Sequence, residues 1–280
     1  MAGDALGIIA GGGDLPRAIA ESVMGSGRRV FVLALRGSAD PWVAAYAHEW
    51  IALGETSKAF KALRDGGVGD VVLVGRVERP KFSEIRLDAK AVMLAPRVMA
   101  AALKGDDALL RSLVDLFDRE GFRAVSVADA APGLIVGEGI VGRRAPSKEN
   151  AGDIALGFKV VRALGALDVG QAAVVCNGLT LAVEAAEGTD RMLARVTDLP
   201  EHIRGTPQKR RGVLVKAPKP IQDRKTDLPV VGKQTVENAA AMGLAGIAVE
   251  AGGALIVDRG AVGDLADKLG LFVVGIAPAK

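Results

Sequence analysis

Two stretches of this chain gather chemically useful groups in patterns that regular secondary structure does not require. The first is Gly11-Gly12-Gly13-Asp14, placed between the apolar run Leu6–Ala10 and a helical pattern from Leu15 to about Met24. Glycines there let the backbone approach a phosphate, and a helix N-terminus offers free N–H donors with partial positive charge. No Gly-Lys-Ser/Thr follows, so the turn is not a P-loop. Pro16 stands where the third glycine of a dinucleotide fingerprint belongs. The alternative is a tight strand-to-helix turn with Asp14 as its N-cap. Arg36 ends the second apolar run, where an NAD enzyme would carry an acid, which argues against NAD and leaves NADP open. Gly75-Arg76 ends the run Val71–Val74 and puts Arg76 at the ligand edge of an open sheet, or on plain surface.

The second stretch is in the C-terminal half. Val183-Glu-Ala-Ala-Glu-Gly-Thr-Asp190 sets Glu184, Glu187 and Asp190 beside a glycine. Then Lys216-Ala-Pro-Lys219 leads into Asp223-Arg-Lys-Thr-Asp227-Leu-Pro229, with lysines and aspartates packed among prolines. These charges lack the i,i+4 spacing of a solvated helix face. Carboxylates with lysines in a proline-fixed loop suit a divalent cation and a phosphate together. Mg²⁺ takes one or two carboxylates and fills its shell with water and phosphate oxygens. Lysines can then neutralise a pyrophosphate while a positioned water attacks phosphorus.

Other chemistries are disfavoured. The histidines, His48 and His202, have no partners at metal-ligand spacing, which speaks against a His-based zinc site or a Ser-His-Asp triad. The single cysteine, Cys176, sits in an apolar run, so it reads as a small buried hydrophobe. The net charge of +3 tolerates anionic ligands, but no basic block with interleaved aromatics appears, so nucleic acid is not expected as a partner. The N-terminus lacks a basic region before its first apolar run, and glycines with Glu250 interrupt the apolar stretch 239–257. Neither a signal peptide nor a membrane span is expected, and the location expected is cytoplasmic.

The elements that must position these groups follow from periodicity. Half of the 280 residues are hydrophobic but only 4% are aromatic, so small aliphatic residues do the packing, as in parallel sheets covered by Ala-rich helices. Strands are predicted at 6–10, 29–35, 50–53, 70–74 and 124–127, with helices at 15–24, 41–48, 56–64 and through about 88–119. Within the last, Ala91–Leu103 carries Met93 and Met99 among small residues. That pattern reads as core packing, with contact to a lipid acyl chain as the alternative. The rhythm predicts an α/β fold: an N-terminal Rossmann-like parallel-sheet domain over 1–136, a Gly/Pro-rich linker over 137–146, and a mixed α+β domain over 147–280. In the latter, helices are expected at 153–164, 236–242 and 262–269, and strands at 213–215, 247–249, 254–257 and 272–276. A hairpin of 172–175 and 179–183 turns on Asn177-Gly178, a type I′ signal.

Four segments, in order, carry a resemblance: Ile9-Ala-Gly-Gly-Gly-Asp-Leu-Pro16, Leu167-Asp-Val-Gly-Gln171, Val183–Asp190 and Lys219–Pro229. Together they resemble the UDP-2,3-diacylglucosamine pyrophosphatases of lipid A synthesis that are unrelated to the calcineurin-like phosphoesterases. One departure is Lys225, where the family pattern suggests Arg; a lysine cannot make a planar bidentate phosphate contact. The resemblance implies hydrolysis of UDP-2,3-diacylglucosamine to UMP and 2,3-diacylglucosamine 1-phosphate with Mg²⁺ or a similar divalent cation. It also implies a homodimer with at most peripheral membrane contact. On this reading Asp227 and then Asp223 hold the metal or position water, with Glu187 and Asp190 next as metal ligands. Lys216, Lys219 and Arg76 face the diphosphate, and Gly12, Gly13 and Asp14 face substrate. An NADP-binding oxidoreductase and a non-catalytic nucleotide or lipid sensor are the other readings.

Overall fold

The computed structural model describes residues 4–77, 85, 87–103, 105–219 and 228–278. It divides into two compact units, Met1–Gly133 and Leu134–Lys280.

The first unit is built on β1 (Ala5–Ala10), α1 (Asp14–Gly25), β2 (Val30–Leu35), β3 (Ala47–Ile51), α2 (Thr56–Asp65) and β4 (Val68–Val74). It continues with α3 (Ala89–Ala102), α4 (Asp106–Arg119), β5 (Arg123–Ala124) and the short α5 (Val127–Ala130). The strands pair in parallel in the order β3-β2-β1-β4-β5. This is the order of a doubly wound sheet, with its switch point between β1 and β4. Every residue of β1 is buried, as a strand covered on both faces requires. On one face Ile9, Leu33 and Val71 pack against Phe60 and Leu63 of α2 and Phe117 of α4. Phe60, Phe117 and Phe122 interlock with ring centroids 5.5–6.5 Å apart, and with Phe31 packed against the same cluster four of the seven phenylalanines sit in this one layer.

Three local expectations fail here. The segment 41–48 is not a helix: a 3₁₀ turn covers Pro41–Ala45 and β3 begins at Ala47, where pairing with β2 outweighs a weak helical pattern. The long helical region breaks at Gly105, whose φ of 118° no helix tolerates. The strand expected at 124–127 stops at Ala124, because the Ser126 side chain accepts the Asp129 N–H and starts α5.

The second unit contains β6 (Gly139–Val141), α6 (Lys148–Ala166), β7 (Ala172–Cys176), β8 (Leu179–Val183), α7 (Thr189–Val196) and β9 (Val213–Lys216). After these come β10 (Val230–Val231), α8 (Lys233–Ala241), β11 (Gly246–Glu250), β12 (Leu255–Ile256), α9 (Arg259–Leu269) and β13 (Phe272–Ile276). Its main sheet has the order β6-β13-β11-β9-β7-β8, and β10 pairs separately with β12. Strands β13, β11 and β9 are parallel, flanked by antiparallel β6 on one side and antiparallel β7 on the other. Part of the segment expected as a linker is thus a strand of this sheet; Gly139–Val141 is too short to show a period. One face of the sheet packs against Ile154, Phe158 and Val161 of α6. The other packs against residues of α7, α8 and α9, among them Leu193, Val236 and Val262.

The β7–β8 hairpin turns as its sequence requires, with φ of 52° at Asn177 and 76° at Gly178. Asp153 of α6, itself buried, accepts both turn amides, from Asn177 at 3.0 Å and Gly178 at 2.7 Å. Cys176 is buried, and burial pushes its thiol above the ordinary value, in keeping with a packing role. Among the described residues no helix is long and apolar enough to cross a membrane.

Candidate active site

In the first unit the chain leaves β1 at the switch point, where open α/β sheets bind their ligands. The turn that follows is locked to the one after β4. Gly11 donates to Val74 O at 2.9 Å, and Gly12 and Arg76 form an isolated bridge. The approach is too close for side chains: a Cβ on Gly11 would lie 2.5 Å from the Arg76 carbonyl oxygen. A Cβ on Gly75, whose φ is +98°, would lie 2.8 Å from the Gly11 carbonyl carbon and 2.9 Å from the Pro16 ring. Pro16, the departure from the dinucleotide pattern, therefore packs where these turns meet.

Gly13, not Asp14, occupies the N-cap position of α1, with φ 95°, and Asp14 is the first helical residue. The cap is supplied from elsewhere: Asp40 accepts the Gly13 N–H at 3.0 Å. The Arg76 guanidinium reaches the same turn, since a Cβ built on Gly13 would lie 3.9 Å from its Nε. Gly12, Gly13, Asp14 and Arg76, singled out separately in the sequence, meet at one helix N-terminus. Backbone donors, the positive end of α1 and an exposed guanidinium are groups that can bind an anion, with Asp40 already taking the Gly13 N–H. Asp40 was missed, because an acid before a proline reads only as a turn.

In the second unit, β8, β9, β11 and β13 all end on one edge of the sheet. Lys216, the last residue of β9, pairs with Ala172 on one side and Val249 on the other. The Glu184 N–H, just past β8, donates to Ala172 O at 2.9 Å, and Glu250 ends β11. Along this edge the structure therefore sets Glu184, Lys216 and Glu250, all buried. Each has a partner: Thr189 and the Gln171 N–H for Glu184, Val230 O for Lys216 at 3.1 Å, and Arg162 for Glu250 at 3.3 Å. Beside them Lys219 binds Asp168 at 2.7 Å. Residues of three of the family-like segments, Asp168–Gln171, Glu184 and Lys219, thus lie along a single sheet edge with Lys216.

Lys216 is the inner end of a strand, 4% exposed, where the sequence suggested a loop. Glu187 and Asp190 are engaged by the protein itself. Glu187 pairs with Arg195 at 2.5 Å, and Asp190 accepts from Asn238 of α8 at 2.8 Å, so both brace α7. Asp223 and Asp227 lie outside the described residues. The chain after them is fixed: Leu228 is buried, and Pro229 O accepts the Leu255 N–H at 2.8 Å. Two residues on this edge escaped sequence reasoning. Glu250 is hidden in an apolar run, and its only signal was interrupting it. Gln171 has a buried side-chain oxygen with no hydrogen-bond partner in the structure. A polar acceptor left unmet at a strand end is uncommon, and it suits a donor brought by a ligand.

Among the described residues no three His, Cys, Asp or Glu side chains converge as a metal cluster. The arrangement supplies buried and half-buried cations with carboxylates and an open acceptor at the ends of strands, suited to a phosphorylated, hydroxyl-bearing ligand.

Comparison with known proteins agrees with this division of the chain. Residues 5–134 match the family model described as the LpxI N-terminal domain, and residues 137–274 match that of the LpxI C-terminal domain. The chain is 49% identical over 275 residues to the UDP-2,3-diacylglucosamine pyrophosphatase LpxI of Caulobacter vibrioides, covering 98% of each.

Proposed function

The chain belongs to the LpxI family, and from that premise we propose that it hydrolyses the pyrophosphate bond of UDP-2,3-diacylglucosamine. The products are UMP and 2,3-diacylglucosamine 1-phosphate, a step of lipid A synthesis. The observation that carries this reading is identity of 49% over 98% of both chains, a span that takes in both matched domains.

The residues divide the work by chemistry. Arg76 and the N-terminus of α1 offer positive charge to an anionic group of the nucleotide sugar. Lys216 and Lys219 supply ammonium groups for the diphosphate, and the burial of Lys216 strengthens its field because little water screens it. Gln171 offers its side-chain oxygen to a substrate hydroxyl or a bound water. Asp227 and Asp223 complete the set as the carboxylates that orient the attacking water. Mg²⁺ or a similar divalent cation fits this donor set, because it needs only one or two carboxylates and takes its other ligands from water and phosphate. Bound by Asp223 and Asp227, it would withdraw charge from the phosphoryl oxygens. Glu187 and Asp190, held by Arg195 and Asn238, are secondary ligand candidates. The family resemblance extends the proposal to a cytoplasmic homodimer that touches the membrane only peripherally.

The test is hydrolysis of UDP-2,3-diacylglucosamine by purified protein, with and without EDTA and with Mg²⁺ restored. The expected result is UMP release that disappears with EDTA and returns with the metal. No UMP in the presence of Mg²⁺ overturns the activity; full activity in EDTA overturns the metal role alone.

A further inference from the structure

Helix α6 ends on a residue where glycine would sit with less strain. Leu167 is its C-cap. The Asp168 and Val169 amides then donate to Gly165 O at 3.1 Å and Leu164 O at 3.0 Å, the paired bonds of a Schellman motif. The motif puts the residue after the cap in the left-handed region, and Asp168 takes it with φ 56°. A Cβ is crowded there, so glycine is the usual occupant. Helix α9 of the same unit closes on Gly270, with φ 79°. Aspartate tolerates the conformation when its carboxylate bonds nearby backbone, as Asp258 does by accepting the Ala261 N–H. The Asp168 carboxylate goes elsewhere: it accepts from Lys219 Nζ at 2.7 Å, 51 positions along the chain.

We propose that Asp168 is a positioning residue for Lys219, held at a strained helix end because its carboxylate keeps the ammonium in place for the diphosphate. The inference rests on the hydrolase reading above, in which Lys219 faces that group. A lysine has a long flexible stem, and fixing it as a ligand binds costs entropy. Asp168 restricts the stem beforehand, so less freedom is lost on binding. The ammonium has three donors; Asp168 occupies one and leaves two for phosphate oxygens. The turn that carries Asp168 is itself fixed at both ends. Helix α6 holds one end, and at the other Gln171 O accepts the Ala217 N–H at 3.1 Å. Between them Gly170 lies so close to Glu184 that a Cβ would be 2.1 Å from its carbonyl oxygen. The Lys219 side chain is 19% exposed and that of Asp168 44%, so water screens the carboxylate and weakens its repulsion of phosphate. Orientation outweighs repulsion.

The experiment is a double-mutant cycle on the full chain with Asp168→Asn, Lys219→Met and the pair, with Asp168→Gly beside it. UMP release from detergent-dispersed UDP-2,3-diacylglucosamine in Mg²⁺ gives kcat/KM. Calorimetry in EDTA gives Kd for the same lipid, and thermal melts give stability. Asparagine keeps the left-handed backbone without the charge, and glycine removes the strain. The expected result is that Asp168→Asn and Asp168→Gly each lower kcat/KM and affinity about tenfold. Asp168→Gly should nonetheless melt at or above the parent's temperature, because relief of strain offsets the loss of an exposed ion pair. In the Lys219→Met background, Asp168→Asn should add less than about a twofold further loss. Unchanged kinetics and affinity in Asp168→Asn overturn the inference, because the ion pair then serves only the helix end. A full further loss in the Lys219→Met background also overturns it, since Asp168 then acts without the lysine. A parent that binds the lipid and releases no UMP overturns the hydrolase reading alone, and the affinity cycle then decides the role of Asp168. A parent that neither binds nor turns over the lipid overturns both.

Discussion

Gly12 and Arg76 exchange a pair of backbone hydrogen bonds, of 2.8 and 2.9 Å, that tie the turn after β1 to the turn after β4. The pairing fixes the backbone from which the Arg76 side chain reaches over the first turn of α1. Position is thus decided by glycines that allow the contact, and charge by a residue whose own side chain is exposed.

Arg76→Ala should therefore cost activity and not stability. A lost charge-assisted contact is worth ~1.5–3 kcal/mol, so kcat/KM for the nucleotide lipid should fall roughly ten- to a hundredfold with the melting temperature unchanged. Arg76→Lys should recover part of the loss. Steady-state kinetics within twofold of the parent for Arg76→Ala would remove this residue from the site.

Gln171→Leu separates a ligand-facing acceptor from a structural one. A buried oxygen without a donor destabilises the fold slightly, so an apolar side chain of similar reach should leave the urea midpoint unchanged or raise it. If Gln171 receives a hydrogen bond from bound substrate or water, kcat/KM falls by about tenfold or more. A lower midpoint with unchanged kinetics would show instead that the amide serves packing.

Asp227→Ala should abolish turnover while substrate binding and the melting temperature persist. The carboxylate stands in a sequence that also holds Lys219, Arg224 and Lys225, the mixture of charges that suits a divalent cation and a phosphate together. A fall in kcat of ~10³-fold or more matches the loss of a strong electrostatic contribution. If kcat stays within about tenfold, a change of only ~1.4 kcal/mol, the role passes to Asp223.

Acid should weaken the first unit through Asp70. Arg123 binds it at 2.7 and 2.9 Å and Arg28 at 2.7 Å, and these guanidiniums, Arg123 foremost, hold its carboxyl below the usual range. A depressed folded-state value stabilises the protein above the unfolded value of about 3.9, and that contribution is lost as pH falls through the folded value. Asp70→Asn should lower stability at pH 7 by about 1–2 kcal/mol, a partly exposed ion pair being worth less than a buried one. Urea titrations at decreasing pH should show the parent and variant converging below about pH 4. A constant difference down to strong acid would assign the effect to packing.

The sequence revealed elements whose signal is local. Runs such as Ile8–Ala10 and Val71–Val74 are apolar throughout, and Asn177-Gly178 specifies its own turn. Elements defined by distant partners were harder to read. β3 forms because β2 is beside it, and β6 has too few residues to show alternation. The same division holds for the site. Gly11–Asp14 and Lys216–Lys219 stood out by composition, whereas Asp40 and Gln171 gain meaning only from what the fold brings near them or leaves unmatched. Glu187 and Asp190 looked free in a glycine-bearing segment because the sequence does not show that Arg195 and Asn238 return to meet them.

The pairing of Val141 with Val273 joins the beginning of the second unit to its last strand. During synthesis β6 emerges first and waits for almost the entire unit before its neighbour in the sheet exists. Until Phe272–Ile276 leaves the ribosome, β11 also presents an open edge, with its amides and carbonyls unmatched on that side. β13 therefore acts as a clasp, and the nascent unit stays sticky until that strand has emerged, an interval in which a chaperone has an exposed edge to hold.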